Sequence, residues 1–148
     1  MSNLSTFLWS HIRTVPHFPK PGVDFYDLTP LFMNNLDSLT DALIASIPAE
    51  KLAEVESFIA VEARGFVLAS LLAQRTGKGL VLVRKAGKLP PPVVGVGYSL
   101  EYGLDRLEMA ADVQAQKVII VDDVLATGGT LKAVKQLAEK CDHQVLGA

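Results

Sequence analysis

Val118-Ile119-Ile120-Val121-Asp122-Asp123-Val124-Leu125-Ala126-Thr127-Gly128-Gly129-Thr130 joins an apolar strand, two carboxylates, a run of small residues and a helix start in one stretch. Val118 to Val121 is β-branched throughout and does not alternate with polar residues, the pattern of a parallel strand covered on both faces. Asp122 and Asp123 stand where such a strand ends, the edge at which open α/β sheets bind ligands. Two adjacent carboxylates accept hydrogen bonds from vicinal hydroxyls and hold the water shell of a hard cation such as Mg²⁺. In Ala126-Thr127-Gly128-Gly129-Thr130 the small side chains let backbone N–H groups face an anion, and Thr127 and Thr130 add hydroxyl donors. Leu131, Val134, Leu137 and Ala138 then recur at helical spacing, so the loop opens a helix whose unpaired N–H groups favour a phosphate. A solvated turn needs no such order; strand, acidic pair, small loop and helix together specify a sugar-phosphate site. The GxxxxGK[ST] pattern and its lysine are absent, which excludes a Walker loop.

Composition sets the class around this site. The chain has 148 residues, of which 49% are apolar and 20% charged, an ordinary globular balance with enough length for one proper core. A formal net charge of −2 gives no broad basic field for nucleic acid, so any anion site is local. The single cysteine, Cys141, excludes an internal disulfide and reads as a small packing residue in a reducing, cytoplasmic setting. No apolar run approaches membrane-spanning length, and the expectation is a soluble protein with no membrane partner.

Working outward from the decisive stretch, strand and helix signals alternate. Ser57-Phe58-Ile59-Ala60-Val61 reads as a strand, residues 66–74 as a helix, and Leu80-Val81-Leu82-Val83 as a second strand. Residues 4–13 form a short helix, and Ser38 with Asp41 makes a capping-box pattern that opens another, ending before Pro48. Pro90-Pro91-Pro92 and Gly95, Gly97 and Gly103 break regularity, so the stretch before Lys117 is a long loop or two-stranded ribbon, read as an active-site cover. The expected fold is α/β: a doubly wound, mostly parallel sheet in one domain over residues 1–148, with an N-terminal hood over about residues 1–35.

Four further segments carry chemistry. Glu62-Ala63-Arg64-Gly65-Phe66 runs from a strand end into a helix, where Arg64 either grips diphosphate oxygens or pairs with Glu62 at the surface. Arg84-Lys85-Ala86-Gly87-Lys88-Leu89-Pro90 clusters three cations at the next strand end, either solvated or set to receive an anion. Tyr98-Ser99-Leu100-Glu101-Tyr102-Gly103 lies inside the cover. Phe18-Pro19-Lys20-Pro21-Gly22-Val23-Asp24-Phe25-Tyr26-Asp27 fixes an extended turn in which Phe25 offers a flat apolar face. His11, His17 and His143 lack metal-ligand spacing, and Trp9 reads as helix packing.

The strand, Asp-Asp and Thr-Gly-Gly-Thr run is similar to the phosphoribosyl-diphosphate (PRPP) signature of type I phosphoribosyltransferases. The other four segments, in the same order, resemble the adenine phosphoribosyltransferases. By that resemblance Asp122 and Asp123 hold the ribose hydroxyls and contact Mg²⁺ in the outer shell, and Ala126, Thr127, Gly128, Gly129 and Thr130 hold the 5-phosphate. Ala63 and Arg64 form the diphosphate loop, with a cis peptide at that pair, and Arg84, Lys85 and Lys88 serve PRPP and its leaving group. Glu101 exchanges a proton with the purine under a closing loop. Tyr102 lines the closed site, and Asp24, Phe25 and Tyr26 receive adenine, Tyr26 standing where the family usually has Arg.

The resemblance implies that adenine and PRPP give AMP and diphosphate in a Mg²⁺-dependent homodimer, with Glu101, Arg64 and Lys85 as the catalytic set. Two other readings stand beside it: a transferase for another nucleobase, and a noncatalytic PRPP-sensing protein. Family members usually continue beyond the equivalent of Ala148, so the C-terminus reads as short.

Overall fold

Every residue of Ser57–Val61, and all of Lys117–Val121 except its first, are buried or nearly so, and these two strands are neighbours in the interior of the main sheet. The computed structural model describes residues 3–99, 104–125 and 127–148. It divides into two compact units, residues up to Ser46 and residues from Ile47 onward.

In the first unit α1 (Asn3–Ser10) precedes an antiparallel pair, β1 (Arg13–Val15) and β2 (Phe25–Asp27), followed by α2 (Thr29–Asn34) and α3 (Leu36–Ser46). The helix expected over residues 4–13 stops at Ser10 because Arg13 is drawn into the pair, its Nη2 2.7 Å from Asp27 Oδ2. Asp27 Oδ1 accepts the Thr29 N–H and hydroxyl at 3.0 and 2.6 Å, which sets up the first turn of α2. Ser38 is not a cap: α3 begins at Leu36, and the Leu39 N–H already donates to Asn35 O at 2.9 Å. Trp9 is half exposed and meets Tyr26 edge-on, with ring centroids 5.5 Å apart.

The second unit runs α4 (Ala49–Glu54), β3 (Ser57–Val61), α5 (Arg64–Thr76), β4 (Gly79–Lys85), β5 (Val93–Ser99), β6 (Leu104–Ala110), β7 (Lys117–Val121), α6 (Gly129–Lys140) and β8 (Gln144–Gly147). Its sheet has the order β5-β6-β4-β3-β7-β8. β3 is parallel to β4 and β7, and β7 to β8, whereas β6 is antiparallel to both β4 and β5. The Pro- and Gly-rich stretch is thus a ribbon of two full strands rather than a loop, and it extends the sheet. α5 packs on β3, β4 and β7, while α6 covers the other face, Val134, Leu137 and Ala138 meeting Ile59, Val83, Met109 and Val118. Burial of each such side chain contributes about 1.5–3 kcal/mol. No helix among the described residues is long and apolar enough to cross a membrane.

The amino ends of β3 and β7 are tied by polar groups. Ser57 Oγ donates to Gln116 Oε1 at 2.5 Å, the Lys117 N–H donates to Glu56 Oε1 at 3.0 Å, and the Gln116 N–H donates to His143 Nδ1 at 3.0 Å. Accepting at Nδ1 puts the neutral ring's proton on Nε2, which is buried with no partner among the described residues.

Burial of this ring holds its pKa below the ordinary value of 6.5, so the unfolded chain binds the proton more readily than the folded one. Stability is therefore present above pH 6.5 and is lost as pH falls below it. His143→Asn keeps an acceptor for Gln116 but cannot titrate. Urea unfolding above and below pH 6.5 is expected to show a smaller acid loss for the variant than for the parent.

Candidate active site

Parallel register brings three strand ends to one edge. Val61 pairs with Val83 and Ala60 with Val121, so Glu62-Ala63-Arg64, Arg84-Lys85 and Asp122-Asp123 emerge side by side. Between β7 and α6 lies an open cavity of about 300 Å³, whose lining includes Asp122, Asp123, Thr127, Gly128, Gly129 and Thr130. Gly128 is the cap of α6 at φ +84°, a conformation that L side chains resist, and it aligns the helix start with the cavity. The Gly129 N–H donates weakly to Thr127 Oγ1 at 3.4 Å.

The acidic pair is tightly organised. The Asp123 N–H donates to Asp122 Oδ1 at 2.8 Å, and Arg64 Nε lies 2.6 Å from Asp123 Oδ2 in an ionic contact rather than an aligned hydrogen bond. α5 reaches this close because residue 65 is glycine: a Cβ there would stand 2.9 Å from Val121 O and 3.3 Å from Asp122 Oδ1. Burial, followed by the neighbouring Asp123, pushes the Asp122 carboxyl up to about 6, with Arg64 opposing.

The cations are paired differently from the surface alternative. Arg64 is paired with Asp123, and Glu62 instead takes Arg84, Oε1 to Nε at 2.9 Å, with the Arg84 guanidinium 5.7 Å from the Phe66 ring centroid. Lys85 Nζ lies 3.3 Å from Asp105 Oδ2. Lys88 is exposed on the turn after β4, where Gly87 adopts φ +81° and its N–H donates at 2.8 Å to Glu108 Oε1, a buried carboxylate. The non-proline cis bond is Glu62–Ala63, one bond earlier than the pair expected to hold it.

Sequence reasoning weighed Glu62 only against Arg64 and missed it as the partner of Arg84, and it missed Asp105 as the partner of Lys85 and Glu108 as the acceptor for the Gly87 N–H. Only the register of β3 with β4 and of β4 with β6 makes them neighbours, and no local motif carries it. Glu101, Tyr102 and Ala126 lie outside the described residues. Asp24, Phe25 and Tyr26 belong to the first unit, where Phe25 meets Phe18 edge-on at a centroid distance of 5.2 Å.

The raised Asp122 pKa has a definite sign for stability. Between 3.8 and about 6 the folded chain holds a proton that the unfolded chain releases, so the stability contributed by Asp122 is lost as pH rises through about 6. Asp122→Asn keeps the acceptor for the Asp123 N–H and removes the charge. Its thermal midpoint is expected to exceed the parent's above pH 6, with the gap closing as pH is lowered toward 3.8.

Comparison with known proteins bears on the family of the chain. The phosphoribosyl transferase domain model matches residues 34–148. The adenine phosphoribosyltransferase of Rubrobacter xylanophilus is 48% identical over 140 residues, covering 93% of this chain and 75% of that protein. That of Bifidobacterium longum subsp. infantis is 46% identical, covering 95% and 75%. Among solved structures, Saccharomyces cerevisiae adenine phosphoribosyltransferase, complexed with an iminoaltritol bisphosphate and adenine, has a TM-score of 0.92 at 34% identity, covering 99% of this chain and 86% of that one. The enzyme from Rhodothermus marinus has a TM-score of 0.89 at 38% identity, covering 99% and 84%. The order of the motifs, the shared edge they occupy and these likenesses agree, and the chain belongs to the adenine phosphoribosyltransferases of the phosphoribosyl transferase family.

Proposed function

We propose that this edge transfers the 5-phosphoribosyl group of PRPP to adenine, giving AMP and diphosphate, with the roles that follow. The observation that carries the reading is the cavity between β7 and α6, where an acidic pair, two threonines and a left-handed glycine converge at a helix start. The loop of residues 126–130 binds the 5-phosphate through backbone N–H groups and the Thr127 and Thr130 hydroxyls. Asp122 and Asp123 accept the ribose hydroxyls and fix the sugar's orientation.

As the bond from carbon 1 to the diphosphate lengthens, negative charge grows on the leaving oxygen and positive charge on the ribose. Arg64 and Lys85 offset the first, helped by Arg84 and Lys88 and by the backbone at Ala63, and the two carboxylates favour the second. Adenine N9 forms the new bond while Glu101 exchanges a proton with the base, Tyr102 lines the closed site, and Asp24, Phe25 and Tyr26 receive the purine from the hood of residues 1–35. Water is excluded by the loop that carries Glu101.

Mg²⁺ fits this edge as a partner of PRPP rather than as a resident ion. No group of three or more possible protein ligands stands together among the described residues, and Asp122 and Asp123 are already engaged by the Asp123 N–H and Arg64. The two aspartates would hold it through water, and the bound cation supplies charge neutralisation at the diphosphate. The working form is a cytoplasmic homodimer built on one domain, in keeping with the family and with a chain whose single cysteine suits a reducing compartment.

With a panel of bases and PRPP, adenine is expected to be converted to its nucleotide and orotate not, and chelation of Mg²⁺ is expected to abolish turnover. Equal use of orotate would return the base assignment to the wider family. Glu101→Gln keeps size and shape but removes the proton-transfer group. Turnover should fall by about a hundredfold to ten-thousandfold while PRPP affinity by calorimetry holds. Intact turnover at saturating substrates would make Glu101 a solvated loop residue.

A further inference from the structure

The antiparallel register puts Lys85 opposite Leu107 and Tyr98 opposite Asp105. Residues directly opposite, or two apart on one strand, share a face, so Lys85, Asp105 and Tyr98 all lie on the face of the sheet that Leu107 presents to the core under α6. Asp105 is fixed by its own chain, its Oδ1 accepting the Arg106 N–H at 2.8 Å. The other oxygen takes two groups, the Tyr98 hydroxyl at 3.3 Å and Lys85 Nζ at 3.3 Å. Burial, with the Asp105 charge second, raises the Tyr98 phenol above its ordinary pKa, so it remains a proton donor. Lys85, Asp105 and Tyr98 thus form a polar cluster beside the end of β4.

We propose that Asp105 is a positioning residue for Lys85, holding the ammonium beside Tyr98 so that it faces the leaving-group end of the substrate. The inference rests on the reading of Lys85 as a diphosphate contact. Lysine is a point charge on a flexible four-carbon stem, and the Lys85 side chain is 57% exposed, so nothing in its own packing sets its direction. A carboxylate oriented by a backbone N–H and shared with a phenol supplies that direction without burying the cation. The arrangement reaches no reacting atom itself, and its effect passes through Lys85.

The test is a double-mutant cycle read as kcat/KM for PRPP at saturating adenine. Asp105→Asn turns an amide N–H or a neutral oxygen toward the ammonium. It is expected to lower kcat/KM for PRPP about tenfold in the parent and by less than about twofold in Lys85→Ala, with KM for adenine unchanged in both. Tyr98→Phe should show a smaller loss with the same dependence on Lys85, and Asp105→Glu should recover part of the activity. An equal loss in both backgrounds would mark a folding or general structural effect and overturn the proposal. So would an unchanged Asp105→Asn enzyme when Lys85→Ala is impaired. If Lys85→Ala itself costs nothing, the reading of Lys85 fails first and takes the proposal with it, a result distinct from the other two.

Discussion

Asp123 meets Arg64 across the end of the sheet, Oδ2 to Nε at 2.6 Å, and the rest of the site is arranged around that contact. Two neighbouring carboxylates at the end of a buried strand repel each other and lose hydration, and the cost appears in the Asp122 pKa, raised to about 6. Arg64 relieves it from α5, which reaches β7 only because Gly65 has no side chain to strike Val121 O. A guanidinium carries five donors, so a contact through Nε does not exhaust it. One residue on α5 thereby organises both carboxylates at the end of β7.

The same contact explains why the local positive charge of this edge differs from what its composition implies. Arg64 faces Asp123, Arg84 faces Glu62 and Lys85 faces Asp105, so three cations of the sheet edge stand beside carboxylates. Their exposure sorts them. Lys85 has a largely solvated side chain, and ion pairs of that kind contribute about 0–1 kcal/mol, so its contact with Asp105 adds little to stability. Arg64 and Asp123 are 32% and 10% exposed, and parting them would leave an acidic pair poorly hydrated.

Legibility in the sequence followed the range of the interactions. Strands β3 and β7 and the helices α5 and α6 were all visible, because each is set by burial periodicity that neighbouring residues encode. The place of Asp122 and Asp123 at the end of β7, and the turn that opens α6, were legible from the same local pattern. The ribbon of β5 and β6 was half legible: prolines and glycines marked an interruption, but two seven-residue strands emerged because Val94, Val96, Leu107 and Met109 find α6 to bury against. Ser38 failed as a cap because Asn35 accepts the Leu39 N–H one turn earlier, a competition that a four-residue pattern does not resolve.

Least legible were the acids that answer the cations. Glu62 sits two residues from Arg64, yet it pairs with Arg84, 22 residues away, because Val61 and Val83 are parallel neighbours and Arg84 leaves β4 beside the start of α5. Asp105 and Glu108 belong to β6, separated by three positions and so on opposite faces of the strand. One face gives Asp105 to the Lys85 side chain; the other gives Glu108 to the Gly87 N–H, bending the turn that carries Lys88. Strand alternation thus divides one short acidic segment between fixing a backbone and fixing a side chain. Which acid does which is decided by register, and register is set by the hydrophobic faces of strands far apart in the chain.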